Sequence, residues 1–183
     1  MSLSKPSQVS LNDPARFGLV LFTGTLLIQL FHEAEHVFQF LQKYHWHWQS
    51  YPGLLGQWFD FEWVHFLYNA ALAIALLATW VTHRRNPGIW RASGLGSAAL
   101  TFLVVFQAYH WFEHLIRLIQ YINHVPTPPG LLGQIFPQLE LHFWLNGVVT
   151  VTMLVAYGLF LPWRIRPPKP ETAQLCVVLD SGH

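Results

Sequence analysis

Four long apolar runs set the pattern of this chain. They cover roughly residues 17–42, 59–81, 95–122 and 139–161. Each is close to or longer than the ~20 residues that a helix needs to cross ~30 Å of hydrocarbon. Turn formers lie between them, at Tyr51-Pro52-Gly53, Asn86-Pro87-Gly88 and Pro126-Thr127-Pro128-Pro129-Gly130. The pattern predicts an all-α integral membrane protein with four transmembrane helices. A soluble bundle would need polar helix faces that these runs lack.

The polar residues inside the runs come in two matching sets. Gln29, His32, Glu35, His36 and Gln42 return 78 residues later as Gln107, His110, Glu113, His114 and Gln120. The segment Gly53-Leu54-Leu55-Gly56-Gln57, with His65, Phe66 and Asn69, returns 77 residues later as Gly130-Leu131-Leu132-Gly133-Gln134, with His142, Phe143 and Asn146. Repetition at a fixed offset predicts a duplicated structural unit. The expected division is an N-terminal segment 1–16, a first repeat 17–82, a linker 83–94, a second repeat 95–162 and a flexible tail 163–183. Each repeat is a helical hairpin that starts and ends on one side. Two tandem parallel hairpins about an axis along the membrane normal then close one four-helix bundle. The alternative packing sets each repeat against a partner subunit, as in a homodimer.

Charge orients this bundle. Lys5, Arg16, Arg84, Arg85, Arg91, Arg164, Arg166 and Lys169 fall in the N-terminal segment, the middle loop and the tail, whereas the other side has only Lys43. Excess Lys and Arg mark the cytoplasmic side. Both termini are therefore expected in the cytoplasm, and the loops around Gly53 and Gly130 outside. Tyr44, Trp46, Trp48, Trp58 and Trp63 fit an outer aromatic belt. A bacterial or archaeal cytoplasmic membrane is the expected location, with the lipid bilayer as the main partner. No cleavable signal peptide is expected, because the polar start runs to Arg16.

Composition agrees. The chain is 52% hydrophobic and 10% charged, against ~25% charged in soluble domains. A net charge of +1 without a basic patch argues against a nucleic-acid partner. Cys176 is the single cysteine, so no internal disulfide is expected.

Helical spacing gathers the polar residues. Positions i, i+3 and i+4 share one face, so His32, Glu35 and His36 lie within an arc of about 100°. Gln29 and Gln39 extend that stripe. His110, Glu113 and His114 repeat it, with Gln107 on one side and Arg117 where Gln39 stood. Glu62, His65 and Asn69 share a face of the second helix. Gln138, His142 and Asn146 share one on the fourth, with Glu140 pointing away. At 1.5 Å per residue, His36 and His65 lie about 9 Å below the outer end, and His32 and Asn69 about 15 Å. One layer in the outer half of the bilayer is thus expected to hold six histidines and several carboxylates. A charge at the centre of a membrane helix costs about 2.5–3.5 kcal/mol on an insertion scale, so the layer calls for a compensating group.

A metal is the first candidate, since bundles hold di-iron centres with Glu and His from facing helices. The expected ligands are His32, Glu35, His36, His65, His110, Glu113, His114 and His142, with Glu35 and Glu113 bridging a dinuclear centre. Two mononuclear sites would use the same residues. Glu62 and Arg117 are the candidate catalytic pair, handling protons or substrate charge. Gln39, Asn69 and Asn146 would orient ligands. Mixed imidazole and carboxylate donors favour iron or zinc, with copper as a further candidate. The expected function is oxidoreductase-type chemistry on a lipid-soluble substrate.

Three alternatives stay open. Haem or another pigment, between His36 and His114 or His65 and His142, would make this a non-enzymatic subunit of a larger membrane complex, with other membrane subunits as partners. His32-Glu33-Ala34-Glu35-His36 also matches the zinc peptidase pattern His-Glu-x-x-His, with Glu33 as base. The second copy has Trp111 in place of Glu33. Finally, the polar layer would serve as a seam that glues helices together.

Overall fold

The computed structural model describes residues 14–59, 62–85 and 94–160. Its four long helices are α1 (Pro14–Tyr44), α3 (Glu62–Arg85), α4 (Gly94–Ile122) and α5 (Gln138–Phe160). A one-turn helix α2 (Gly56–Phe59) precedes α3, and a 3-10 turn (Leu132–Gln134) precedes α5. All four long helices are long and apolar enough to cross a membrane. No strand occurs among the described residues. The Asn86-Pro87-Gly88 turn, the tail with Cys176 and most of the orienting Lys and Arg residues lie outside the described residues.

The apolar runs therefore become helices, with shifts of two to four residues at both ends of α1 and of α3. The run at 59–81 begins as a helix at Glu62, because residues 56–59 form the separate α2. α1 continues past Gln42 to Tyr44. There Lys43 Nζ donates to Glu140 of α5 at 2.6 Å, and the Tyr44 hydroxyl donates to the same carboxylate.

α1 packs against α3 and α5, and α4 packs against the same two helices. Buried positions recur every three or four residues, as at Leu72, Leu76, Thr79 and His83 on α3. Far from the loops the core is apolar: Phe22, Leu76, Leu100, Leu103, Val149, Met153 and Ala156 are fully buried. The outward faces are apolar too. Val20, Leu27, Ile74, Val105 and Val151 are each more than half exposed. Unbroken apolar faces of this kind suit lipid rather than water.

Toward the loop end the core turns polar, and its first polar layer is built from paired amides, with Gln107 Oε1 left without a partner among the described residues. Gln29 Nε2 donates to Thr150 Oγ1 at 3.0 Å and to Asn146 Oδ1 at 3.4 Å, while Tyr68 donates to Gln29 Oε1 at 2.8 Å. Gln107 Nε2 donates to Asn69 Oδ1 at 2.9 Å. Both asparagines send their amide back to the carbonyl four residues earlier, His65 and His142, at 2.9 and 3.0 Å. Each pair joins a helix of one sequence copy to a helix of the other. These pairs fasten the bundle just beneath the histidines. Buried polar pairs between apolar helices couple by ~0.6 kcal/mol on average, up to ~1.7. A double-mutant cycle of Asn69→Ala and Gln107→Ala, read by unfolding in SDS-doped micelles, should return a coupling in that range. Additive single effects would contradict the pairing.

Candidate histidine site

The repeated glutamates are held by the loops, although Glu35 also lines a pocket with His32 and His65. The Glu35 carboxylate accepts the amides of Leu54, Leu55 and Gly56 at 2.8–3.0 Å. Glu113 accepts those of Leu131 at 2.8 Å and Leu132 at 3.0 Å. A second clamp sits beside each. Gln42 Oε1 accepts the Gly53 amide at 2.8 Å and Gln42 Nε2 donates to the Gly53 carbonyl at 3.1 Å. Gln120 holds Gly130 in the same way at 2.7 and 3.3 Å. Backbone amides in a non-repetitive segment need acceptors, and these side chains supply them. Gly53 and Gly130 have φ of +78° and +72°, where only glycine is at ease, and a Cβ on either would overlap the Glu35 or Glu113 carboxylate. Repeated Glu, Gln and Gly thus form one loop lock per hairpin. Glu35 and Glu113, expected as bridging ligands, have their carboxylates turned to these loops instead. Glu113 keeps one buried oxygen without a partner.

The six histidines do come together. His32 and His36 approach with Nε2 atoms 3.1 Å apart. His65 stacks on His114 at 5.7 Å between ring centroids, with planes 9° apart. His142 lies 5.1 Å from His114 and 6.1 Å from His36, and His110 lies 5.0 Å from His114. The cluster thus draws rings from all four long helices. His110 and His114 are 0% and 1% exposed. Both nitrogens of each ring lack a hydrogen-bond partner among the described residues. Each such buried group costs about 1–3 kcal/mol.

Neighbours fix the tautomers of two other rings. Gln39 Oε1 lies 3.0 Å from His36 Nδ1, so that nitrogen carries the proton and Nε2 keeps its lone pair. His142 Nδ1 donates to the Gln138 carbonyl at 2.8 Å. Its Nε2 then receives Arg117 Nη1 at 2.8 Å. Arg117 also donates to Gln138 Oε1 at 2.8 Å and forms an ion pair with Glu62. Arg117 and Glu62, the expected catalytic pair, thus meet across three helices and cover the lone pair of His142. They stand beside a cavity of about 470 Å³ at the loop end that reaches His36, His65 and His142. Glu33, the base of the peptidase alternative, interacts with Thr150 of α5.

Among the described residues, no three His, Cys, Asp or Glu side chains already converge as a metal cage. The rings stack and tilt against one another, so closing a ligand set requires them to turn. Tyr68, which the sequence pattern did not single out, lies over the His32 ring at 4.1 Å. Its counterpart 77 residues on is Leu145, so a search for repeated residues passes over it. His83 is buried, with Nε2 3.1 Å from Ser97 Oγ at the other end of the bundle.

The loop locks predict a specific sensitivity. Gly53→Ala and Gly130→Ala should each destabilise the detergent-solubilised protein by at least the ~1–2 kcal/mol that a left-handed alanine costs, measured by SDS titration. Wild-type stability in both variants would contradict the lock.

Comparison with protein-family models, curated proteins and solved structures finds no significant match, so the chemistry of the site rests on its own atoms.

Proposed function

We propose that this chain is a membrane metalloprotein whose clustered imidazoles hold one or two transition-metal ions. The four helices would span a cytoplasmic membrane as two tandem hairpins, with the loop locks outside and both termini inside. The fixed sequence offset and the matched Gln–Asn pairs support the repeat. Apolar outward faces support the membrane.

One observation carries the metal reading: four buried, unpartnered nitrogens on His110 and His114. A neutral imidazole has one donor and one lone pair to satisfy, and neither ring finds a partner for either among the described residues, whereas each glutamine of the layer below bonds an asparagine. The donor chemistry fits a metal. His32, His36, His65, His110 and His114 would ligate, with Gln39 holding the tautomer of His36. His142 is engaged by Arg117, which would tune the rim of the site rather than bind the ion. With the glutamates drawn off, the donors are nearly all imidazole, which suits zinc, copper, iron or nickel. A redox-active ion there would supply oxidoreductase-type chemistry toward a lipid-soluble substrate. Glu62 and Arg117 at the mouth would relay protons or steady substrate charge.

Purification in mild detergent, with metal content per chain and a visible spectrum, tests this. One or two equivalents of a transition metal, reduced at least tenfold in His110→Ala and in His114→Ala, is the expected result. Glu35→Gln should keep its metal while losing stability, because Glu35 serves the loop. Metal-free wild-type protein, or a Soret band, would overturn the reading.

A further inference from the structure

A second way into the histidine cluster opens sideways, between α1 and α3. Two pockets of about 280 and 410 Å³ lie along this crevice and share Ile28 and Tyr68. The one nearer the loops is lined by His32 and His65, together with Phe31 and Val64. The other is apolar and runs past Gly24, Ala71 and Ala75. Together they have one polar end, one long apolar end and a side facing the surrounding medium.

The wall of this crevice differs from the matching wall of the second hairpin. At Gly24 an added Cβ would meet nothing within 4 Å. The matching residue 78 positions on is Phe102, and that of Ile28 is Phe106. Those two rings stack at 5.5 Å, so the second hairpin carries aromatic bulk where the first has a gap. Ala71 likewise corresponds to Val148. The two copies kept the same histidines but diverged in this wall.

We propose that the α1–α3 crevice binds a lipid quinone or its quinol. Its planar head would lie against the tilted His32 and Tyr68 rings, and its chain would run past Gly24. A flat head suits an aromatic wall with centroids 4.1 Å apart. Its oxygens suit the imidazoles of His32 and His65. The chain suits the apolar pocket, and the opening admits only what dissolves in the bilayer. The pocket sizes fall near or within the ~300–1,000 Å³ usual for ligand sites. A phospholipid acyl chain has no head to match the polar end. As a substrate site the crevice rests on the metal reading above; as a binding site it does not.

The test uses full-length protein in phosphatidylcholine nanodiscs with an azido-decylbenzoquinone photolabel, competed by decylbenzoquinone and mapped by mass spectrometry. Saturable labelling within residues 20–32 and 64–75 is expected, falling at least tenfold in Gly24→Phe. Ala71→Phe should act likewise and serves if the first variant does not fold. Chelator-stripped protein should still label. Labelling that does not saturate, that marks α4 and α5 equally, or that survives both folded variants would overturn the crevice. Metal content, measured on the same samples, decides the metal reading separately.

Discussion

A polar group enclosed by apolar helices has no water to fall back on, and every feature of the loop half follows from that. Inside hydrocarbon each unmet donor or acceptor costs several kcal/mol. The chain nevertheless places glutamines, asparagines, glutamates and histidines in the upper core. The Gln29–Asn146 and Gln107–Asn69 pairs meet most of the demand at one level. The loop amides meet most of it for Glu35 and Glu113 at another. One oxygen each of Gln107 and Glu113 is left over, whereas between these levels His110 and His114 have both ring nitrogens unpartnered among the described residues. That concentration of unmet nitrogens marks the candidate site.

The fixed sequence offset pairs residues of the first hairpin with residues of the second, and the departures from that pairing carry the chemical detail of the core. Gln39 orients His36, whereas Arg117 at the matching position reaches Glu62, Gln138 and His142. Tyr68 covers His32, whereas Leu145 stands at its counterpart. Gly24 leaves a gap where Phe102 adds a ring. Histidines and loop locks are common to both halves. The polar rim and the lateral crevice are not. Histidines drawn from both halves, with asymmetric approaches, would suit a centre that one substrate meets from one side.

Much of this was legible in the chain. Long apolar runs announced four helices, and three-to-four spacing put the histidines on inward faces at matched depth. Glu62 and Arg117 were singled out together, and they form an ion pair. The role of Glu35 and Glu113 was hidden for a physical reason. On a helical wheel position 35 lies at the edge of the arc, about 60° from 32 on the side away from 36, and its side chain can reach up as well as inward. Which it does depends on where residues 54–56 fold back, 18 or more residues later. Gln42 and Gln120 were visible as repeated residues, yet their partners are backbone atoms that no residue pattern displays. Tyr68 was missed because repetition was the filter, and it has no repeat.

The central claim is that imidazoles form the donor set while the glutamates hold the loops. X-ray absorption at the edge of the metal that copurifies tests it most directly. The account predicts outer-shell scattering from at least three imidazoles per ion, with a spectrum unchanged in Glu35→Gln. A first shell dominated by carboxylate oxygen, altered in that variant, would contradict it.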